Sequence, residues 1–399
     1  MTATRRVTTA LIRFIMRIFF RRIELVGLER VPREGGVIFA VNHPNGLIDP
    51  LFLLSFVPRP ISFLAKAPLF RYPLIGFLTR ALESIPVYRK QDAVKGTNSE
   101  TFDRARSLLA RGGSIAIFPE GTTHSDARLR ELKTGAARIA LGCGCEETIV
   151  PTGIYYTSKT TFRSSALVAF GDPIVVLPAA IGTDGEPPSE RVDELTRTIE
   201  DGLSEVTLQA DSHAALELIE RGERIFSGDD EQSLADEFEL RRRFIEGYHY
   251  LREHDPAQLA ELEALIRRYE IGEVPARVSL PEVVVAIVLL PIAVAGAAIN
   301  YPTYRIIGIL SRHLTDEDAI VATIKFIASA TLFPLTWIAY GFIAWWLVIA
   351  APVSAYVALR VFEVLGDAMR RARHVRRPIE ERDAIRQRII VVAGELSAR

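Results

Sequence analysis

A histidine and an aspartate lie six positions apart in the sequence, directly after an apolar run. Residues 37–41, Val-Ile-Phe-Ala-Val, predict a short buried strand that ends at Asn42 and His43. A Pro-Asn-Gly turn follows, and Asp49 with Pro50 opens a second apolar run that predicts a helix. An imidazole that a carboxylate holds in place is a general base suited to neutral pH. The spacing therefore predicts general-base chemistry at the carboxyl end of a strand.

Asp49 also has a purely structural interpretation. An aspartate followed by proline is typical of a helix N-cap with proline at the first helical position, and this arrangement needs no catalytic role. A histidine after a strand can equally be a hydrogen-bonded structural residue. These residues alone leave both interpretations open.

A second polar turn follows the strand predicted at residues 114–118. It contains Glu120, Gly121 and Thr122. The glycine allows the backbone to approach a ligand closely, and the hydroxyl and amide groups can hold an anion. The alternative is an ordinary polar turn.

Two basic residues strengthen the expectation of an anion site. Lys133 stands at the start of a later helix, where an amine and free backbone amides suit a phosphate. Arg89 follows the strand predicted at residues 85–88, and a guanidinium presents a fork that fits phosphate oxygens. Exposed arginines are common, so Arg89 alone is a weak indication.

Short apolar runs alternate with helical patterns from residue 23 to about residue 177. The predicted strands are 37–41, 61–64, 85–88, 114–118, 149–155 and 166–170, and the predicted helices are 50–57, 73–82, 98–111 and 134–141. Such alternation favours an α/β domain with a mainly parallel central sheet flanked by helices, in which chemistry gathers at the carboxyl ends of strands.

Composition limits the class of protein. The chain has 399 residues, enough for two compact regions, and its net charge of −1 argues against a broad nucleic-acid surface. The two cysteines, Cys143 and Cys145, are interpreted as small buried residues at a helix end, because their spacing is tight for a disulfide and no metal ligand is adjacent in sequence. No metal site is assigned, and so few cysteines fit a reducing compartment.

The two ends of the chain predict membrane contact. Residues 1–22 predict a basic amphipathic helix in an anionic headgroup layer, with packing on the domain's own core as the alternative. Residues 276–366 hold long apolar stretches that predict two or three transmembrane helices, against the alternative of a buried helical domain. Residues 211–275 predict charged helices, and residues 367–399 a basic cytoplasmic tail helix.

Four stretches together resemble the glycerolipid acyltransferase superfamily, which is typified by lysophosphatidate acyltransferases. His43 with Asp49 and residues 85–89, 118–122 and 150–153 are similar to its four motif blocks, and the resemblance covers roughly residues 20–180. The form of the first block, the helical middle region and the hydrophobic carboxyl end look more like the branch with yeast-type glycerol-3-phosphate and dihydroxyacetone-phosphate acyltransferases. The catalytic domain is expected at residues 23–210.

The resemblance implies direct acyl transfer, with His43 as the base and Asp49 orienting it. It also implies a site for the acceptor's phosphate headgroup, formed by Asn42, Lys66, Arg89, Glu120, Gly121, Thr122 and Lys133. Two departures from the family pattern bear on specificity. Five residues rather than the usual four separate His43 from Asp49, and Thr123 stands where many lysophosphatidate acyltransferases have an arginine.

The expected function is therefore a membrane-integral acyltransferase of phospholipid biosynthesis with its catalytic domain on the cytoplasmic face. It would need no cofactor, and would move a fatty acyl group from acyl-CoA or acyl-carrier protein to a hydroxyl of glycerol 3-phosphate or a lysophospholipid. Alternatives are another acceptor such as a lyso-aminolipid, hydrolysis of the thioester by water, and a non-catalytic lipid-binding scaffold. The acceptor, donor, chain length and oligomeric state stay open.

Overall fold

A computed structural model describes residues 3–71, 73–88, 98–183, 185–227, 232–269, 278–315, 317–374 and 379–397. The chain divides into two compact units, residues 1–209 with 317–323 and residues 210–316 with 324–399. Each unit is described by itself.

The first unit is built on a single sheet. Its strands are β1 (Arg22–Val26), β2 (Gly36–Val41), β3 (Ile61–Lys66), β4 (Ile85–Val87), β5 (Ser114–Ile117), β6 (Glu147–Tyr156), β7 (Ser165–Phe170) and β8 (Ile174–Val176). Its helices are α1 (Ala3–Phe19), α2 (Ile48–Phe56), α3 (Pro73–Ala81), α4 (Asn98–Leu109), α5 (Gly135–Leu141) and α6 (Ser189–Glu205). The alternation of strand and helix predicted from the sequence is confirmed.

The sheet order is β1-β7-β6-β2-β5-β3-β4, and β8 pairs with the amino-terminal end of β6. All of the pairings are parallel except those of β6 with β7 and with β8. The mainly parallel sheet predicted from the sequence is therefore confirmed. Because β2 lies between β5 and β6 and runs parallel to both, the carboxyl ends of these three strands lie side by side at one edge.

The centre of the sheet is the core of this unit. Every residue of β2 and β5 is buried, as near-continuous apolar strands covered on both faces must be. Helices α4, α5 and α6 cover one face through an apolar cluster that includes Ile38, Ile115, Ile139 and Ile199. The strands that carry the candidate site residues are thus the most rigidly packed ones.

Two strands, β1 and β8, are absent from the sequence prediction, which continued the first helix to residue 22. Helix α1 instead ends at Phe19, and Arg22 begins β1. Both strands are short and lie at the periphery, where β1 pairs only with β7 and β8 only with β6. Arg22 and Glu24 form an ion pair, so the local pattern of β1 lacks the apolar run that marks a buried strand.

Helix α1 has two apolar faces. One buries Ile12, Met16 and Phe19 inside the unit, as the packing alternative requires. The other leaves Val7, Leu11 and Phe14 more than half exposed. Packing on the core therefore accounts for only part of the apolar surface of this helix.

The second unit is helical. Its helices are α7 (His213–Ser227), α8 (Leu234–His254), α9 (Pro256–Arg268), α10 (Leu280–Leu314), α12 (Leu347–His374), α13 (Ile379–Ser397) and the part of α11 (Asp318–Gly341) that follows residue 323. Helices α10, α11 and α12 contain three segments long and apolar enough to cross a membrane, judged by length and composition. The break between Gly341 and Leu347 separates the last long apolar stretch into two helices.

Candidate active site

His43 and Asp49 form a hydrogen-bonded pair at the carboxyl end of β2. His43 Nδ1 lies 2.9 Å from Asp49 Oδ2, and the aspartate side chain is fully buried while the histidine keeps 16% of its side chain exposed. In the neutral tautomer whose Nδ1–H donates to this carboxylate, Nε2 carries the free lone pair. Nε2 is therefore the atom that can take a proton from a bound hydroxyl.

The turn between the two residues accommodates its additional position. The backbone N–H of Asn45 donates to Asp49 Oδ2 at 2.7 Å, so the loop closes around the carboxylate. Gly46 has a positive φ of 28°, a conformation that glycine adopts more easily than other residues. Five intervening residues thus still place the imidazole and the carboxylate in contact.

Asp49 is not a helix cap. Helix α2 begins at Ile48, its cap position is Leu47, and no side chain there accepts a backbone hydrogen bond. The second oxygen of Asp49, Oδ1, accepts from the Tyr156 hydroxyl at 2.5 Å. Burial and the neighbouring negative charge of Asp49 raise the pKa of Tyr156 well above its ordinary value, so the phenol stays protonated and donates. The N-cap interpretation is therefore wrong.

Asn42 joins β2 to β6 with both ends of its side-chain amide. Its Oδ1 accepts from the backbone N–H of Ile154 at 2.7 Å, and its Nδ2 donates to the carbonyl of the same residue at 3.1 Å. This pairing extends the β2–β6 ladder beyond Val41. Asn42 therefore fixes the main chain next to His43, and its amide is engaged with protein.

Glu120 is buried and bonded to the backbone of the histidine turn. Its Oε1 accepts from the backbone N–H of His43 at 2.9 Å, and its Oε2 accepts from the backbone N–H of Arg130 at 3.0 Å. The imidazole of His124 lies against Oε2 through its Nε2. In return, the backbone N–H of His124 donates to the carbonyl of His43 at 3.3 Å. The turns after β2 and β5 are thus tied in both directions.

These contacts set the ionisation of Glu120. Burial alone raises the pKa of the carboxyl, but the hydrogen bonds from His124 and from the Arg130 and His43 amides outweigh it. The resulting pKa is below the ordinary value for glutamate, so the group is a carboxylate at neutral pH. Both of its oxygens accept hydrogen bonds from protein groups.

Phe118 supports the imidazole from one side. Its ring is stacked on that of His43, with the centroids 4.0 Å apart and the planes inclined by 21°. The aromatic ring and the bond to Asp49 together fix the plane of the imidazole. A base held in one orientation needs less reorganisation when it receives a proton.

Gly121 and Lys133 lie together in the loop that follows β5. Gly121 has a φ of 71°, and a Cβ placed on it would come within 2.7 Å of Lys133 Nζ and Cε. The backbone N–H of Lys133 donates to the carbonyl of Pro119 at 2.8 Å, which brings the amine over the turn after β5. Thr122, partly exposed, follows in the same turn. The structure therefore brings together an amine, a hydroxyl and a glycine turn.

Of the two other predicted cations, the structure describes Lys66 alone. Lys66 is the exposed last residue of β3, which is separated from β2 by β5. Arg89 lies outside the residues that the structure describes. The site at the ends of β2, β5 and β6 thus contains His43, Asp49, Asn42, Glu120, Gly121, Thr122 and Lys133.

Sequence reasoning missed three residues of the site: Phe118, His124 and Tyr156. His124 and Phe118 flank the predicted Glu120 turn, so an aromatic and a second histidine beside a polar turn were available as signals. Tyr156 is 107 positions from Asp49 and ends a strand that looked purely structural. No local pattern connects these two residues.

Part of the first unit matches a known protein family. Residues 22–155 match the sequence model of the family described as Acyltransferase, and this part of the chain is an acyltransferase-family domain. The match includes β1 to β5 and nearly all of β6, and thus every residue of the site except Tyr156.

Individual relatives are similar over parts of their length. The chain is 27% identical over 358 residues to glycerol-3-phosphate O-acyltransferase 1 of Saccharomyces cerevisiae, covering 66% of this chain and 47% of that protein. It is 29% identical to a chloroplastic 1-acyl-sn-glycerol-3-phosphate acyltransferase of Arabidopsis thaliana, covering 35% and 38%. It is also 29% identical to the lyso-ornithine lipid O-acyltransferase of Rhizobium meliloti, covering 38% and 50%. The chain spans about half the length, or less, of these relatives.

Proposed function

We propose that this protein is a membrane-bound O-acyltransferase that acylates a hydroxyl of glycerol 3-phosphate or of a lysophospholipid of the lysophosphatidate type. The single observation that carries the proposal is the 2.9 Å contact between His43 Nδ1 and buried Asp49 Oδ2, which leaves Nε2 to act as a base. The acyltransferase-family domain around this pair and the acceptors in the names of the relatives support the substrate class.

The reaction is a direct transfer between a thioester and an alcohol. Nε2 of His43 takes the proton of the acceptor hydroxyl as its oxygen attacks the carbonyl carbon of the thioester. The C–S bond then breaks, and the imidazolium returns the proton to the departing thiolate. An ester C–O bond has formed, a free thiol has left, and His43 is neutral again. The residues of this site thus supply a complete proton cycle.

Asp49 and Tyr156 position the base. The carboxylate holds Nδ1–H and stabilises the imidazolium during the reaction, as an aspartate does for a catalytic histidine elsewhere. Tyr156 donates to Oδ1 of Asp49 and the Asn45 amide to Oδ2, so the orientation of the carboxylate is fixed from both oxygens. These residues act through His43 and need no contact with the substrate.

Glu120 has the same kind of role. A buried carboxylate whose oxygens bond to the His43 and Arg130 amides and to His124 is poorly suited to face a phosphate group directly. We infer that Glu120 holds the main chain of His43 in place. This refines the substrate-binding role expected from the sequence.

Lys133, Gly121 and Thr122 are proposed to bind the phosphate of the acceptor. The amine of Lys133 lies over Gly121, whose left-handed backbone lets that side chain approach closely. Lys66 and Arg89 stay additional candidates for the same charge. The co-substrate is proposed to be acyl-CoA or acyl-carrier protein.

The membrane supplies the lipid substrate. The three candidate spans of α10, α11 and α12 anchor the chain, and the exposed Val7, Leu11 and Phe14 of α1 follow the i, i+4, i+7 spacing of a single helix face. With its arginines, such a face suits an anionic leaflet. We propose that the catalytic domain lies on the cytoplasmic face, which agrees with the basic residues that follow the last span.

A second acceptor class is supported by one observation. The similarity to the lyso-ornithine lipid acyltransferase makes a lyso-aminolipid hydroxyl a candidate. The same His43 base serves this acceptor. A lyso-aminolipid differs in its headgroup, which has no phosphate for Lys133 to bind.

The testing experiment is an acylation assay with the purified full chain in detergent or vesicles. Oleoyl-CoA is supplied with glycerol 3-phosphate, dihydroxyacetone phosphate, lysophosphatidate, a lyso-aminolipid or no acceptor, and the products are identified by mass spectrometry. His43→Ala is expected to lower the rate about 10²- to 10⁴-fold. The matched control is His213→Ala, since His213 is exposed at the start of α7.

Four outcomes would contradict the proposal. Thiol release at the same rate without any acceptor indicates a hydrolase. Acylation of the lyso-aminolipid alone indicates the second acceptor class. Full activity of His43→Ala, or lipid binding without turnover by the wild-type protein, removes the proposed mechanism.

A further inference from the structure

A cluster of two cysteines and one glutamate lies at the other edge of the sheet. Cys143 and Cys145 belong to the connection between α5 and β6, and Glu147 is the first residue of β6. Glu147 pairs with Gly36 at the start of β2, whereas His43 follows the end of that strand. A six-residue strand spans about 20 Å, so this cluster is separate from the candidate active site.

The turn between the cysteines brings their sulfur atoms together. Gly144 has a φ of 80°, a left-handed conformation that the chain needs here and that side chains disfavour. The two Sγ atoms lie 3.4 Å apart, and each lies 3.0 Å from Oε1 of Glu147. Three potential metal ligands therefore converge on one point within five residues of sequence.

The hydrogen bonds that the Glu147 carboxylate accepts do not offset the cost of burying it. Glu147 is 1% exposed, and its Oε2 has no hydrogen-bond partner among the described residues. Oε1 receives only thiol hydrogens, which are weak donors. A buried carboxylate in such surroundings is costly unless a cation balances it.

The guanidinium groups of this region donate to backbone carbonyls. Burial lowers the pKa of Arg59, and the negative charge of Glu147 partly offsets this effect. The guanidinium of Arg59 nevertheless donates to the carbonyls of Pro32, Gly35 and Gly112 rather than to the carboxylate. Arg106, the other guanidinium of this region, donates to the carbonyl of Arg138. In the contacts among the described residues, neither guanidinium donates to the Glu147 carboxylate.

We propose that Cys143 Sγ, Cys145 Sγ and Glu147 Oε1 bind a thiophilic divalent cation of the Zn²⁺ type. Thiolate and carboxylate ligands, closely spaced, suit that ion. Binding releases the two thiol protons, so that three anionic ligands surround a charge of +2. The net charge of the cluster stays at −1, but the cation bonds directly to the carboxylate oxygen that now receives only weak thiol donors.

The distances permit such an ion without rebuilding the loop. A point equidistant from the three atoms lies about 1.8 Å from each in their plane. Zn–S bonds of about 2.3 Å and Zn–O bonds of about 2.0 Å therefore place the ion to one side of that plane. The fourth position of a tetrahedron then faces away from the three ligands. Both cysteines are partly exposed, which gives an ion access.

The experiment is a titration of the reduced, metal-stripped full chain with Co²⁺ and then Zn²⁺. A thiolate-bound Co²⁺ gives a sulfur-to-metal charge-transfer band in the near ultraviolet, and Zn²⁺ should displace it at one ion per chain. Cys143→Ser, Cys145→Ser and Glu147→Gln remove one ligand each. Glu146→Gln is the matched control, because Glu146 is the exposed neighbour of Glu147.

Each cysteine variant is expected to lose about half of the charge-transfer intensity at saturation, because one thiolate remains, and to weaken Zn²⁺ binding by about 100-fold or more, because losing even an outer-shell partner of a metal site typically costs 10- to 100-fold. Glu147→Gln is expected to weaken binding while keeping the band, and Glu146→Gln to behave as wild type. A wild-type chain without the band, equal affinity of all variants, or a Cys143–Cys145 disulfide in protein purified with metal but without reductant overturns the proposal. Circular dichroism confirms folding of each variant, and acylation assays are not needed.

Discussion

The carboxylate of Glu120 accepts a hydrogen bond at 2.9 Å from the backbone N–H of His43, which lies 77 positions earlier in the chain. The turn after β5 therefore holds the main chain of the turn after β2. Glu120, which the sequence predicted to bind the substrate, thus contacts the main chain of the proposed base. Its contribution to turnover is expected to pass through the position of the imidazole.

Glu120→Gln tests this relationship. An amide can still accept at one oxygen, but its NH₂ group would face the N–H donors that a carboxylate satisfies, so one buried donor loses its partner. We expect kcat to fall about 10- to 100-fold with KM for the acceptor changed less than threefold, an interaction lost mainly in the transition state. Steady-state kinetics measure both parameters. Glu131→Gln, an exposed glutamate of the same loop, is the control. A rise in KM alone would mean that Glu120 binds the acceptor.

The lowered pKa of Glu120 predicts a pH dependence of stability. Because the folded-state pKa lies below the unfolded value near 4.5, the unfolded chain binds the proton more readily. The stabilisation from Glu120 is therefore fully present above about pH 4.5 and is lost as the pH falls through the folded-state pKa. Thermal unfolding in detergent between pH 7 and pH 3.5 measures it. The difference in Tm between wild type and Glu120→Gln should shrink toward acid pH, and a constant difference would count against the charge of Glu120.

Tyr156→Phe removes one hydroxyl from the buried Asp49 carboxylate. A hydrogen bond to a charged group contributes about 1.5–3 kcal/mol, so we expect kcat to fall by about one order of magnitude and Tm to decrease. Tyr155→Phe is the matched control, since adjacent residues of β6 point to opposite faces of the sheet. Unchanged kcat in Tyr156→Phe, measured beside the control, would show that Asp49 is positioned without the phenol.

Gly121→Ala probes the turn beneath Lys133. Its φ of 71° and the Lys133 Nζ and Cε atoms within 2.7 Å of an added Cβ predict a strain of about 1–2 kcal/mol and a displaced amine. We expect KM for a phosphate-bearing acceptor to rise about tenfold, while a neutral lysolipid is affected less. Gly135→Ala is the control, because a Cβ there meets nothing within 4 Å. Equal effects on both acceptors would show that this turn does not bind the phosphate of the acceptor.

The sequence by itself determined the local parts of the site. Apolar runs that end abruptly at polar turns marked β2 and β5, and the spacing of His43 and Asp49 implied their contact because both belong to one short turn. The apolar stretches that became α10, α11 and α12 were equally visible, since a membrane-length run of apolar residues is a property of the chain alone. Peripheral strands such as β1 were not visible, since half-exposed strands carry no continuous apolar run.

Only the tertiary structure decided what those residues do to one another. Tyr156 reaches Asp49 because β6 lies next to β2, and Glu120 reaches the His43 amide because β5 lies on the other side. Strand order and register arise from packing across the whole sheet, and no local pattern encodes which strands become neighbours. The same register decides that Glu147, paired with Gly36, is buried beside Cys143 and Cys145. Sequence thus named the chemical groups, and the fold assigned their partners.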